Sequence, residues 1–171
     1  MLRSFVPFLA PLLLAAAPAV PSASTLSLTP WWEKVTVTMT DDGKAQGCRY
    51  ESSATGSPNK DCKVVGASIG AQAAPSHDQY ATITFERRFD PGGAPPADAV
   101  MQKGDKLLGR QVMALAIDGS GKVGNCKIVS TSGETGLEYG CEEAAAEHFE
   151  AKAAAAGFMT ILVYGHTEHV V

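Results

Sequence analysis

The chain has no cluster of lysine and arginine. Its 171 residues carry 14 Lys and Arg against 18 Asp and Glu, a formal net charge of −4. Nucleic-acid binding needs a basic surface to meet the phosphates, so this composition argues against it. It argues equally against a polybasic membrane-surface site. Metal and catalytic spacings are also missing. Cys48, Cys62, Cys126 and Cys141 form no C-x-x-C pair, and His77, His148, His166 and His169 are scattered, which is a poor zinc pattern. No serine has a G-x-S-x-G context. Ser130, Ser132 and His148 are nucleophile and base candidates by residue type alone. Glu138, Glu142, Glu143 and Glu147 could supply a carboxylate pair, but a solvated helix face explains them better. Gly119-x-Gly121 leads into a strand rather than a helix, which makes it a turn and not a dinucleotide loop. The expectation is a non-catalytic protein without metal or cofactor.

The N-terminus reads as a secretory signal. Arg3 is a short positive region and Phe5–Ala17 an apolar core, with cleavage after Ala19 or among Ser22–Ser24. The alternative is an uncleaved membrane anchor, but the run is barely long enough to span a bilayer and Pro7, Pro11 and Pro18 interrupt it. In an exported chain, four cysteines point to disulfides, and three connectivities are open. His166-x-x-His169 reads as a frayed polar tail rather than a metal site.

What the sequence does hold is a hairpin. In Val112–Ser132, Met113, Leu115 and Ile117 alternate with smaller residues, the period of a strand with one main buried face. Asp118-Gly119-Ser120-Gly121 makes the turn, with Gly121 in the left-handed conformation, and Val123–Ser130 is the return strand. A weaker copy lies at Val35–Ser53. Gly121 and Cys126 follow Gly43 and Cys48 by 78 residues, and Phe158-Met159-Thr160-Ile161 follows Tyr80-Ala81-Thr82-Ile83 by the same interval. Turn, cysteine and strand in step point to an internal duplication. The domains expected are a signal peptide at 1–24, a degenerate repeat at 31–88, a linker at 89–108 and a second repeat at 109–171. The duplication favours one disulfide per repeat, Cys48–Cys62 and Cys126–Cys141.

Trp31-Trp32 are expected to cap a core or cover a sheet edge. Gln79–Arg87 is a strand with Ala81, Ile83 and Phe85 on one side, and Arg87-Arg88 its solvated end. Asp61–Ala73 reads as a short helix weakened by Gly66 and Gly70. Asp90–Ala97, rich in proline and glycine, is the linker. After the second hairpin, Thr135 and Glu138 form a capping box for a helix. Cys141, Ala145 and Phe149 share its buried face, while Glu142, Glu143 and Glu147 lie on the wet side. The alanines to Ala156 could extend this helix, with Gly157 as its stop, and Phe158–Tyr164 closes the unit. The fold class is therefore α+β, two tandem β-β-α-β units, each an antiparallel sheet with a helix on one face, the first helix degraded.

This pattern resembles the C-terminal domain of TonB-family proteins. The resemblance rests on Val112–Val129, Ser132-Gly133, Leu137-Glu138, Cys141, Phe149 and Gly157, covering about 110–165 well and 33–87 as a worn copy. Ala151 stands where the family tends to have proline. The resemblance implies a periplasmic module that grips an outer-membrane or other envelope protein, partly by pairing an exposed strand edge with it. The alternative it carries is a membrane-anchored energy transducer for outer-membrane transport, which would need the N-terminal segment to stay in the membrane. Signal cleavage would leave no stable membrane anchor, and the open edges leave self-association into a homo-oligomer open.

Overall fold

The protein is described from a computed structural model, which covers residues 25–41, 44–53, 60–61, 80–97, 100–133 and 137–167. The signal segment, Gly43, Cys62, most of the 61–73 helix segment, the Thr135 cap, His77 and His169 lie outside these residues.

The described chain folds into one mostly antiparallel sheet with a single short helix. The strands are β1 (Trp31–Met39), β2 (Ala45–Ser52), β3 (Lys60–Asp61), β4 (Thr82–Pro91), β5 (Asp105–Ile117), β6 (Val123–Gly133) and β7 (Ala155–His166), and α1 is Cys141–Ala146. The sheet order is β3-β2-β1-β4-β7-β5-β6. Two separate sheets are not formed, because β4 and β7 pair along ten residues from Thr82–His166 to Pro91–Gly157. The two hairpins match each other in detail. Val37 pairs with Cys48 and Leu115 with Cys126, and the register shifts at Thr38/Met39 and at Ala116/Ile117, each feature 78 residues after its counterpart. Phe85 also pairs with Val163, its own counterpart at that interval, so the two repeats meet in symmetric register at this pair. The hairpins sit differently on their third strands, however. Val37 faces Ile83, whereas Leu115 faces Gly157 rather than Ile161. The slip is of four residues, an even number, so every side chain keeps its face of the sheet.

One face carries the core. Trp31, Phe89, Met113, Leu115, Ile117, Met159 and Ile161 project there and pack against Ala144 and Phe149. Odd-numbered residues of β4 and β7 share this face, as a two-residue period requires. Trp31 is buried and lies near Phe89, with ring centroids 6.3 Å apart.

The segment after β6 departs from the sequence reading. The helix spans only Cys141–Ala146, and Glu143 rather than Glu138 closes its first turn by accepting the Gly140 N–H at 2.7 Å. Ala144 is its buried residue and Ala145 is exposed. Phe149 reaches the core from outside the helix: its N–H bonds Gly121 O at 2.8 Å, and it bridges to Leu26. The alanines before Gly157 do not extend the helix, and β7 begins at Ala155. These bonds hold 147–150 extended, which separates the alanines after Glu150 from the helix they would otherwise prolong. Gly121 has φ +87°, and a Cβ there would come 2.0 Å from Phe149 O, so both the turn and this docking require glycine.

β4 and β5 lie on either side of β7 and run parallel to each other, so the chain leaving Pro91 must return along the length of β7 to reach Asp105. Val100, Met101 and Gln102 line a groove with Lys34, Thr84, Glu86 and Tyr164. The return path therefore lies on the face opposite α1. The expected linker is thus a strap across the sheet. Among the described residues no helix is long and apolar enough to cross a membrane.

Candidate functional site

The outer edge at β6 is the most open part of the sheet. β6 ends the strand order, and among the described residues no strand pairs with its far side. It is exposed along its length except at Val123 and Cys126, which are half-buried. Ile128 and Val129 stand out as exposed large hydrophobics, 45% and 44% accessible. Val112 pairs with Ser130 and Met113 with Ile128, which leaves Val129 as a bulge. Natural edges are blunted by charge, proline and bulges, and β6 has only Lys127 and this bulge. The opposite end of the sheet is partly covered, since β3 pairs with Arg49 and Tyr50 of β2.

Two devices hold the edge in place. At the turn, Asp118 Oδ1 accepts the Ser120 N–H at 2.8 Å, the Ser120 hydroxyl at 2.6 Å and the Lys122 N–H at 3.1 Å. These bonds, the Ser120 hydroxyl first, hold the Asp118 carboxyl below its usual pKa. Along the strand, a disulfide joins Cys126 to Cys141 with Cα atoms 5.5 Å apart, tying β6 to the start of α1. Cys48 is also disulfide-bonded, and its expected partner, Cys62, is outside the described residues.

Beneath α1 lies a charged cluster that the sequence did not reveal. Arg87 is not a solvated strand end: its side chain is 17% exposed. Its Nε donates to Glu33 Oε1 at 2.6 Å, and its Nη1 donates to Tyr139 Oη at 3.1 Å and to Glu147 Oε1. The Tyr139 hydroxyl donates to the same Glu147 oxygen at 3.1 Å, and Tyr50 donates to Glu33 Oε2 at 3.0 Å. The guanidinium also stacks 5.2 Å from the Trp31 ring centre and 5.4 Å from that of Tyr139. Burial would lower the Arg87 pKa, but Glu33, Tyr139 and Glu147 outweigh it and the pKa is raised. Burial, chiefly, raises that of Tyr139 as well. Glu147, read as part of the wet helix face, is thus one anchor of a clamp between β1–β4 and the α1 segment.

The opposite face holds the groove under the strap, about 360 Å³ in volume. Glu86 and Thr84 are buried there. Glu86 is paired with Lys34 and Arg88, and Tyr164 donates to it at 3.4 Å. Burial, with the Glu86 charge next, pushes the Tyr164 phenol up to about 12. His166 is no frayed tail: it lies in β7, and its Nδ1 is 2.8 Å from Asp105 Oδ1.

Of the residues weighed for catalysis, Ser130 and Ser132 lie on the exposed edge strand, while His148 sits beside the second turn, bridged to Lys122. The structure does not bring them together into a nucleophile–base pair, and no group of three or more potential metal ligands occurs among the described residues. Comparison with protein-family models, curated proteins and solved structures finds no match.

Proposed function

We propose that the chain is an exported, non-catalytic interaction module that binds an extended segment of another envelope protein by strand addition to β6. The observation that carries this reading is the edge itself: Val123–Gly133, exposed at all but two of its eleven residues and held in place by the disulfide and the Asp118 turn. An edge of this kind offers a row of main-chain donors and acceptors to an incoming strand. The matching hairpin registers support reading the fold as two tandem β-β-α-β units of the TonB C-terminal kind, fused through the β4–β7 seam. The signal-like N-terminus and the oxidised cysteines support a periplasmic location.

The test uses the alternation of backbone N–H groups along a strand. Of two consecutive residues, one points its N–H at β5 and the other points it outward. Thr131→Pro and Ser132→Pro are made separately, and partner capture from a periplasmic extract is measured by crosslinking. The variant that retains the native melting temperature is expected to lose capture, because proline removes the outward donor. Capture that survives in that variant, or no capture by the unmodified protein, would reject the reading.

A further inference from the structure

The groove on the face opposite α1 has an uneven hydrogen-bond account. Both oxygens of each of its carboxylates are engaged by the protein, and those of Glu86 twice over. Glu86 Oε1 takes both Arg88 contacts and Oε2 takes Lys34 and Tyr164. Asp105 Oδ1 meets His166, and Oδ2 accepts the Gln102 N–H at 3.0 Å. The donors are not saturated. Arg88 gives Glu86 its Nε and Nη2 and keeps Nη1, and Lys34 gives one of three ammonium hydrogens and rests 5.1 Å over the Trp32 ring.

Exposure follows the same division. The Glu86 and Asp105 side chains are 3% and 10% exposed, against 30% for Lys34, 38% for Arg88 and 37% for His166. Formally Lys34 and Arg88 balance Glu86 and Asp105, but the two cations are the charges exposed to solvent while both carboxylates are buried behind them. We infer that the groove under the strap binds a small oxyanion, a carboxylate or phosphate group, held by Lys34 and Arg88. Its volume is at the low end of small-molecule sites, and charge-assisted bonds from a guanidinium and an ammonium are the strong contacts for such a group. The buried Glu86 then acts as a positioning residue, holding both cations toward the groove floor.

The test is an NMR titration of the full chain, following the Arg88 Nε–H and Gln102 side-chain signals. Inorganic phosphate and acetate are separate probes, and chloride at equal ionic strength is the control. Saturable shifts with at least one oxyanion, absent with chloride, are expected, and the stronger probe identifies the group. Lys34→Gln should weaken binding roughly tenfold. Because that change also unpairs Glu86, Arg88→Lys is the second variant: it keeps the charge and loses the planar fork, and should weaken binding as well. Lys152→Gln, on the exposed surface outside the groove, should leave it unchanged. Equal shifts with chloride, no saturation with either oxyanion, or indifference to both groove variants would overturn the inference.

Discussion

Arg87 shows what can and cannot be read at the level of one residue. Strand parity places it on the same side as Ile83 and Phe85, and so on the core face, but a charge at a strand end reads as solvated unless its partners are known. Those partners, Glu147 and Tyr139, are more than fifty residues away and carry no local signal. Removing the cation leaves two half-buried carboxylates facing each other. Arg87→Met should therefore cost about 2 kcal/mol, below the value for fully buried pairs because the site is partly wet. The triple change Glu33→Gln, Arg87→Met, Glu147→Gln should recover at least half of that. Urea midpoints decide, and a triple variant less stable than the single would refute the charge account. The phenols give a second residue-scale prediction. Tyr139 and Tyr164 have pKa values raised in the fold, that of Tyr164 to about 12, against about 10 when unfolded. Their contribution is complete below pH about 10. It is lost as pH rises through the folded values, because the unfolded chain releases its protons first. Urea midpoints should fall along this alkaline limb, and Tyr139→Phe with Tyr164→Phe should flatten it. An unchanged slope in the double variant would count against this.

At the scale of elements, the hairpins were legible, and so was the presence of the helix but not its ends. Alternation in 35–40 and 112–117, with turn residues between strands, is a local signal that tertiary contacts reinforced. The run of alanines was a local signal that tertiary contacts overrode, and Glu138, expected in the first turn, precedes a helix that begins at Cys141. Gly121 and Leu26 claim the backbone around Phe149, Arg87 claims Glu147, and one and a half turns of helix remain. A helix that short is held by what it is tied to. Replacing Cys126 and Cys141 together by serine opens a loop with a sequence separation of 15 and should cost about 3 kcal/mol. Hydrogen exchange should rise in α1 and β6 and stay low at the β4–β7 seam. Uniform acceleration across the sheet would show that the bond supports the whole fold rather than this edge.

At the scale of the molecule, the single sheet depends on contacts that no stretch of sequence displays. The pairing of Phe85 with Val163 joins strands on opposite sides of the linker, and each strand alone fits two small sheets as well as one large one. The even slip of the second hairpin is equally silent, since it moves no residue to the wrong face. The Pro/Gly-rich stretch Asp90–Ala97 reads as neither helix nor strand, yet β4 runs on through Asp90 and Pro91 because β7 pairs with them, and the reading holds only from Gly92 onward. Its path over the sheet follows only from knowing that β7 lies between the strands it connects.

That path has a consequence for chain length. From Gly157 to His166, β7 covers about 30 Å, and the chain from Pro91 to the turn at Gln102 reaches about 34 Å in an extended proline-rich conformation. That reach is barely more than the span, so tolerance to length change should be one-sided. Two or three residues inserted at Ala94 should be absorbed as a bow in the strap. Removing Gly93–Pro96 leaves it too short to close, and β4 of one copy should then find β7 of another. Light scattering of the deletion protein is expected to give twice the mass of the insertion protein at equal concentration, and equal masses would show that the strap has more freedom than its geometry allows.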